Sequence, residues 1–191
     1  MKTVGVLALQ GDFEAHRNAL LRAGGNAVEV RTAEQIAACD GLIIPGGEST
    51  TMWKLLEIEN LIDAIRDFGA KKPIYGSCAG AILLAKHVSH PEQASLGLMD
   101  IDVVRNAYGR QIDSRIVTIN VEGGDLEAVF IRAPKVSRVG SAPRVLGKYN
   151  GDPVWVEEGL HMITTFHPEL TADLRVHRRF LDKTAHPQIE P

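Results

Sequence analysis

The chain has 191 residues, of which 45% are hydrophobic and 24% are charged, and its formal net charge is −3. These fractions are typical of a globular protein and argue against intrinsic disorder, collagen or a coiled coil. Nucleic-acid-binding surfaces usually need a basic excess, so we predict no nucleic-acid partner. The two cysteines, Cys39 and Cys78, are too few for a disulfide scaffold.

The length of the chain and its apolar runs indicate the number of domains and the cellular location of the protein. At about 150 residues per domain, the length predicts a single domain over residues 1–191. The apolar run at residues 4–9 is shorter than the signal-peptide core of about 7–15 residues. No run approaches the roughly 20 apolar residues that span a bilayer. We therefore expect a cytoplasmic protein without a membrane partner.

The first half of the chain alternates short apolar segments with segments of helical spacing. Strands are predicted at residues 3–9, 27–31, 41–45 and 73–76. Helices are predicted at residues 12–23 (with Asp12 as the cap), 52–57, 60–68 and 79–87. Thr32 and Gln35 form a capping box for a further short helix. This alternation predicts an α/β fold, a doubly wound and mostly parallel sheet flanked by helices.

The second half of the chain is richer in β-prone segments. Strands are predicted at residues 117–121, 129–132, 154–157 and 160–166, and a closing helix at residues 172–181. Asn150-Gly151 is a strong signal for a two-residue hairpin. We therefore expect β hairpins added to the α/β sheet, with a frayed tail over residues 184–191.

Four unusual segments each follow a predicted strand directly. They are Gln10-Gly11-Asp12, Gly46-Gly47-Glu48-Ser49, Gly76-Ser77-Cys78-Ala79-Gly80 and His167-Pro168-Glu169. Ligands of open parallel sheets bind outside the carboxyl ends of the strands. If these strands are parallel, the four segments meet at one edge, and the sequence predicts an active site there.

Cys78 is the candidate nucleophile. Gly76-Ser77-Cys78-Ala79-Gly80 has the form of a nucleophile elbow, a sharp turn between a strand and a helix. The unpaired N–H groups and the dipole at a helix start favour a thiolate. The alternative is a small buried hydrophobic residue, which is the common state of a free cysteine.

His167 and Glu169 are the candidate base and orienting acid. The proline between them favours extended geometry at His167, and residues two apart in an extended chain point to the same side. Glu169 is then placed to hold one imidazole nitrogen and leave the other for Cys78, which is the logic of a catalytic triad. The alternative is a surface His-Pro turn beside a solvated glutamate.

Gly46-Gly47 offers backbone N–H groups that a ligand can approach without obstruction by side chains. We predict that Gly47 and Ala79 donate the two N–H groups of an oxyanion hole. The alternative is a tight turn between a strand and a helix.

No metal or cofactor is predicted. His87 and His90 are close in sequence, but no full ligand set accompanies them. Neither a Walker motif nor a G-x-G-x-x-G after a strand occurs, so nucleotide binding has no support.

The order Cys78, His167, Glu169 resembles the class I, or triad, glutamine amidotransferases. Five further peptides narrow the resemblance to the glutaminase subunit of pyridoxal 5′-phosphate synthase, the PdxT family. They are LQGD at 9–12, PGGESTT at 45–51, RNAYGRQ at 105–111, FIRAP at 130–134 and FHPELT at 166–171. The match runs in order along nearly the whole chain. One departure is Ser77, where the family is expected to have threonine.

The resemblance implies a flavodoxin-like α/β glutaminase that hydrolyses L-glutamine to glutamate and ammonia. The ammonia would pass to a (β/α)₈-barrel synthase partner of the PdxS family, within a large hetero-oligomer that makes pyridoxal 5′-phosphate. The resemblance further implies that the free subunit is poorly active until the partner docks and reorganises the Gly46-Gly47 loop. The residues that would line the glutamine site are Gly47, Glu48, Ser49, Arg105, Ile131 and Arg132. An arginine can pair with the glutamine carboxylate through two hydrogen bonds, but the sequence leaves open which arginine does so.

Three alternatives remain open at the sequence level. The first is a cysteine hydrolase or peptidase of the DJ-1-like or dienelactone-hydrolase kind, although DJ-1-like proteases tend to have histidine where this chain has Ala79. The second is a glutaminase that serves another biosynthetic partner. The third is a non-catalytic binding module of the same fold.

Overall fold

The computed structural model describes residues 2–107 and 114–186. Helices and strands alternate through the first part, and strands dominate the second. The elements are β1 Thr3–Leu7, α1 Phe13–Arg22, β2 Asn26–Val30, α2 Ala33–Ala37, β3 Gly41–Ile44, α3 Ser49–Ile58, α4 Ile62–Gly69, β4 Ile74–Ser77, α5 Ala79–Leu84, β5 Ala85–Ser89, β6 Met99–Val104, β7 Arg115–Val121, β8 Gly124–Phe130, β9 Lys135–Val139, β10 Arg144–Tyr149, β11 Asp152–Glu158, β12 His161–Thr164 and α6 Arg175–Ala185.

The main sheet runs in the order β2-β1-β3-β4-β12-β11-β10-β7-β8. Neighbours from β2 to β12 pair in parallel, and those from β12 to β8 pair antiparallel. The predicted α/β class is confirmed. The sheet is mixed rather than mostly parallel, because the hairpins of the second half extend the same sheet instead of packing on it. A smaller sheet joins β5, β6 and β9.

Two apolar clusters cover the two faces of the main sheet. Successive strand residues point to opposite faces, so Ile43 belongs to one cluster while Leu42 and Ile44 belong to the other. Helices α2, α3, α4 and α5 pack on the face of Leu42, and α1 and α6 pack on the face of Ile43. The parallel part of the sheet is therefore covered by helices on both sides, as a doubly wound fold requires.

Several predicted helices have different bounds in the structure, and two of them show the reason. The helix predicted at residues 79–87 ends at Leu84, because Ala85 is extended and begins β5, which pairs with β6. The helix predicted at residues 172–181 begins only at Arg175. The Asp173 carboxylate accepts a hydrogen bond from the Arg175 N–H at 2.9 Å and holds the preceding residues in a turn.

Two short sequence motifs have the predicted structure, and a third has it only in part. The Thr32–Gln35 capping box is present, and Asn150 and Gly151 have φ of 50° and 86° in a two-residue hairpin. Asp12 occupies the N-cap position of α1, as predicted, but its side chain makes no capping hydrogen bond. Residues 108–111 of the RNAYGRQ peptide and 187–191 of the predicted frayed tail lie outside the described residues.

Among the described helices, none has both the length and the apolar character needed to cross a membrane.

Candidate active site

The parallel strands place the four predicted segments at one edge of the sheet. The backbone N–H of Asp12 donates to the carbonyl oxygen of Gly46 at 3.1 Å. The backbone N–H of Glu48 donates to Oε1 of Gln10 at 3.0 Å. The loops after β1 and β3 are therefore joined by hydrogen bonds at the carboxyl ends of their strands.

Gly46 also brings the loops after β4 and β12 together. A methyl group added to Gly46 would lie 2.5 Å from Cε1 of His167 and 3.5 Å from Cβ of Cys78. Both side chains thus pack directly against this glycine. The four segments predicted to meet do so around Gly46.

Cys78 has the backbone geometry of an elbow. It lies between β4 and α5 with a φ of 49°, a left-handed value that is rare for a residue with a side chain. A Cβ on Gly76 would lie 2.5 Å from the backbone of Gly80, and a Cβ on Gly80 would clash with the carbonyl oxygen of Ile44. Both glycines of the motif are therefore required by the close approach of backbone.

The Cys78 side chain is 6% exposed. Its Sγ lies 3.9 Å from the carbonyl oxygen of Ile131, and its backbone N–H donates to the carbonyl oxygen of Thr164 at 2.9 Å. The backbone of Cys78 is therefore fixed to the end of β12, and its sulfur faces the loop after β8.

His167 and Glu169 form the predicted pair. Nδ1 of His167 and Oε1 of Glu169 are 2.7 Å apart, and the two residues are 3% and 5% exposed. Nε2 of His167 is buried without a well-aligned hydrogen bond and remains available on the side of Cys78. The alternative of a solvated surface turn is therefore wrong.

The pKa values of His167 and Glu169 are both shifted by their surroundings. Burial by itself lowers the pKa of His167, but contacts with Cys78 and Glu169 outweigh it and raise that pKa to about 10. Burial opposes ionisation of Glu169, yet His16 and His167 together hold the pKa of Glu169 below its usual value. The site therefore favours a protonated imidazole beside an ionised carboxylate.

The two predicted oxyanion donors lie beside this pair. Ala79 is the first residue of α5, so its N–H is one of the unpaired groups at the helix start. Gly47 has a φ of 154°, and a Cβ there would clash with Oε1 of Gln10. In the planar 46–47 peptide, the Gly46 carbonyl points to Asp12 and the Gly47 N–H points the opposite way. Their role as oxyanion donors stays a prediction.

The side chain of Glu48 caps the start of α3. Its carboxylate accepts the N–H groups of Thr50 and Thr51 at 3.0 and 2.7 Å, and these bonds together with the Thr51 hydroxyl lower its pKa to about 2 despite partial burial. A guanidinium nitrogen of Arg105 lies 3.4 Å from Glu48 and donates to the Thr50 hydroxyl at 2.8 Å. Two predicted glutamine-binding residues thus contact each other.

The remaining predicted glutamine-binding residues surround the same edge. Ser49 donates its hydroxyl to Gln93 at 2.8 Å, and Ile131 presents its carbonyl to Cys78. Arg132 is exposed, has a φ of 44°, and makes no ion pair or hydrogen bond within the part of the chain that the structure describes. Arg132 is therefore an unpaired cation one residue away from the Cys78 contact.

A metal would have one set of donors here. Asp12, His167 and Glu169 each offer a ligand atom within 4.8 Å of the others. Nδ1 of His167 is already hydrogen-bonded to Glu169, and Asp12 is half exposed. Two of these three possible ligands, His167 and Glu169, are therefore already bonded to each other.

Comparison with known proteins decides the family. A family model described as the SNO glutamine amidotransferase family matches residues 6–186. This chain belongs to that family. The pyridoxal 5′-phosphate synthase subunit PdxT of Solibacter usitatus is 56% identical over an alignment that covers 96% of this chain and 100% of that protein. The PdxT subunit of Koribacter versatilis is 52% identical over 180 residues, which cover 93% of each chain.

A solved structure agrees with this assignment. A crystal structure described as a glutamine amidotransferase superposes with a TM-score of 0.90 and 46% identity, over 95% of this chain and 98% of that one. The resemblance drawn from the peptides is confirmed, and so is the amidotransferase fold. The alternative of a DJ-1-like or dienelactone-hydrolase-like enzyme is wrong.

Sequence reasoning placed Gln10 at the edge of this amidotransferase site without a role, and it did not find His16 or Gln93. Gln10 supports the loop after β3, and His16 lies 3.3 Å from the second oxygen of Glu169. A histidine on the apolar face of α1, one helical turn after the predicted edge segment, was the available signal for His16. Gln93 and its bond to Ser49 had no signal, because their pairing spans 44 positions.

Proposed function

We propose that this chain is the glutaminase subunit of a pyridoxal 5′-phosphate synthase and hydrolyses L-glutamine through a thioester on Cys78. The observation that carries this proposal is the 2.7 Å bond between His167 and Glu169 beside the strained elbow of Cys78. The PdxT subunits that share 56% and 52% identity with the chain support the choice of pathway.

In the first half-reaction, His167 already carries the proton given up by the thiol of Cys78, and the sulfur attacks the amide carbon of glutamine. The N–H groups of Gly47 and Ala79 stabilise the oxyanion; one such donor is typically worth about 10²–10³ in rate. The carbon–nitrogen bond then breaks, and His167 gives its proton to the leaving ammonia. The pKa of about 10 suits His167 to hold that proton until the ammonia leaves.

In the second half-reaction, water attacks the thioester while His167 accepts its proton. Collapse of the oxyanion breaks the carbon–sulfur bond, returns a proton to Cys78 and releases glutamate. Glu169 keeps the imidazole oriented through both halves and stabilises its charged form.

Substrate is held by the loops around the elbow. Gly47, Glu48 and Ser49 form the backbone wall, and Arg105 with Ile131 completes the pocket. Arg132 is the arginine that we assign to the glutamine carboxylate, because its guanidinium has no ion pair or hydrogen bond among residues 2–107 and 114–186, while that of Arg105 contacts Glu48 and Thr50.

The ammonia passes to a (β/α)₈-barrel synthase subunit of the PdxS kind, in a hetero-oligomer of the two subunits. Docking of that subunit turns the Gly46-Gly47 loop so that the Gly47 N–H faces the oxyanion. The bond between the Gly46 carbonyl and the Asp12 N–H is the contact that this movement alters.

Glutamate release from L-glutamine tests the proposal, measured for the purified chain with and without a PdxS subunit. Strong stimulation by the synthase subunit is the expected result. Cys78→Ala abolishes release, and Cys39→Ala is the matched control because Cys39 is equally buried but lies in the loop after α2. Full activity in Cys78→Ala, or no release by a folded wild-type chain with a competent partner, contradicts the proposal.

A further inference from the structure

Behind the triad lies a chain of buried polar groups that the proposed mechanism does not use. Nε2 of His16 is 2.8 Å from the hydroxyl of Ser77 and 3.3 Å from Oε2 of Glu169. Nδ1 of His16 is 3.0 Å from Nε2 of His177. Both histidines are 0% exposed, as is Ser77. Buried imidazoles in direct contact are costly to desolvate, so their arrangement requires an explanation.

Four separate elements contribute to this chain of buried polar groups. His16 comes from α1 and His177 from α6, while Ser77 ends β4 and Glu169 lies in a short 3-10 helix, Pro168–Leu170. His16 contacts both the triad carboxylate and the residue before the nucleophile. It therefore links the acid end of the triad to the elbow that carries Cys78.

The charge state of the two histidines follows from burial. Desolvation lowers the pKa of His16, and it lowers the pKa of His177 to about 3, so both rings are neutral near pH 7. Each neutral ring carries one N–H, and only two consistent patterns exist along the chain. The groups facing these rings are Glu169, His167, Asp12, Arg22 and the edge of Tyr75.

Local electrostatics select one pattern. If Nδ1 of His16 carried the proton, a bare lone pair on Nε2 would face the carboxylate oxygen of Glu169, and His177 would keep a buried N–H on Nδ1 without a partner. In the other pattern, His177 donates from Nε2 to His16, and His16 donates from Nε2 toward Ser77 and Glu169. The second pattern leaves only a lone pair unpartnered on His177, which costs less than an orphaned N–H.

We propose that His16 is a positioning residue of the triad, held by His177 in the tautomer that donates from Nε2 toward Glu169 and Ser77. The proposal rests on the proposed function, since it concerns the same triad. Oε2 of Glu169 is buried and makes no well-aligned hydrogen bond among the described residues, and Nε2 of His16 lies 3.3 Å from it. The attraction between the His16 N–H and Oε2 fixes the rotation of the carboxylate, so that Oε1 stays on His167, and stabilises its ionised form.

The test compares His16→Phe, which keeps a ring but no N–H, with His16→Gln, whose side-chain amide retains a donor. His16→Phe should lower kcat about 10- to 100-fold, the usual effect of losing a group that orients a reacting side chain, with less than a twofold change in KM. His16→Gln should recover most of this loss. The acid limb of the pH profile of kcat should move to higher pH in His16→Phe alone, because Glu169 loses a donor to its charged form.

His161→Phe is the matched control. His161 is also buried with a lowered pKa of about 4, but it lies at the start of β12 and accepts a hydrogen bond from the Ile74 N–H. Its loss should reduce Tm without changing kcat or the pH profile. If His16→Phe does not fold, the pair His177→Gln and His177→Leu replaces it, and only the leucine variant should show the acid-limb shift.

Alkylation of Cys78 by iodoacetamide separates this proposal from the proposed function, because it needs no glutamine. The rate of Cys78 alkylation at pH 7 should fall several-fold in His16→Phe and remain unchanged in His161→Phe. If wild type hydrolyses no glutamine, the proposed function fails while this assay still tests His16. Wild-type alkylation and an unshifted pH profile in a folded His16→Phe variant would overturn the positioning role, as would equal losses in the glutamine and phenylalanine variants.

Discussion

Cys78 illustrates how much one residue depends on its neighbours' lack of side chains. Its left-handed backbone stores strain of about 1–3 kcal/mol, a cost found mainly at functional sites. Gly76 and Gly80 make the turn possible because each is in close contact with other backbone. The G-x-C-x-G spacing therefore predicts this geometry from sequence alone.

Gly46→Ala tests the packing of the triad. The backbone of Gly46 does not need glycine, but the added methyl group would lie 2.5 Å from Cε1 of His167. Displacing a catalytic group by about 1 Å can cost about 10²-fold in rate, so kcat should fall by that order. Gly97→Ala is the control, since its positive φ is strained but nothing lies near its Cβ. Loss of Tm without loss of kcat is expected only for Gly97→Ala.

The titration of His167 should depend on Cys78. Contact with the thiol helps to raise the pKa of His167 to about 10, so Cys78→Ala should lower it while Cys39→Ala leaves it unchanged. A raised histidine pKa contributes stability that is fully present below about 6.5 and is lost as pH rises through about 10. NMR titration of the ring nitrogens measures the shift directly, and an unchanged His167 in Cys78→Ala contradicts the assigned contact.

Arg132 should govern substrate affinity. A hydrogen bond to a charged group contributes about 1.5–3 kcal/mol, which corresponds to about 10- to 150-fold in KM. Arg132→Gln should raise KM within that range and change kcat little, and Arg132→Lys should recover only part because lysine cannot form two parallel bonds. If Arg105→Gln shows this pattern and Arg132→Gln does not, Arg105 rather than Arg132 binds the glutamine carboxylate.

At the scale of elements, the start of α3 is an unusual cap. Glu48 takes the place of the common serine, threonine or aspartate and accepts the N–H groups of Thr50 and Thr51. Helix α3 begins at Ser49, three residues before the predicted start, because this cap extends it toward the edge of the sheet. The same side chain therefore starts a helix and contacts Arg105.

Glu48→Ala should reduce the free energy of unfolding by about 1 kcal/mol at pH 7, the usual cost of losing an N-cap. The side chain is 53% exposed, so solvent screens its charge and the capping bonds dominate. A lowered carboxyl pKa contributes stability above about 4.5 that is lost as pH falls through about 2. Urea unfolding at several pH values should show the two proteins converging toward pH 2. Glu59→Ala, an exposed change at the other end of α3, should have no effect.

The elements that sequence reasoning placed well are those with a local cause. The capping box of α2 and the Asn-Gly hairpin depend on residues within a few positions of each other. The end of α5 depends instead on pairing between β5 and β6, which lie ten or more residues apart. The apolar run at residues 79–87 gives no local sign of that pairing and therefore predicts a helix that is too long. Tertiary pairing overrode local propensity there.

At the scale of the molecule, parallel pairing of β1, β3, β4 and β12 carries the site. It gathers the segments from Gln10 to Glu169 at one edge, as the strand–helix alternation predicts. The polar chain from Glu169 through His16 to His177 joins α1 to α6 on the face of the sheet that both helices cover. No local pattern marks such a long-range contact, and the neutral state of both rings depends on burial that only the packed structure provides.

The covalent intermediate is the most direct test of the central claim. Acid quenching of the chain during turnover with L-glutamine and a PdxS subunit, followed by peptide mass spectrometry, should find a glutamyl adduct on the peptide that contains Cys78. The same adduct should be absent from the Cys39 peptide and from the Cys78→Ala variant. Steady glutamate production with no adduct on Cys78, or with activity retained in Cys78→Ala, would contradict catalysis by this cysteine.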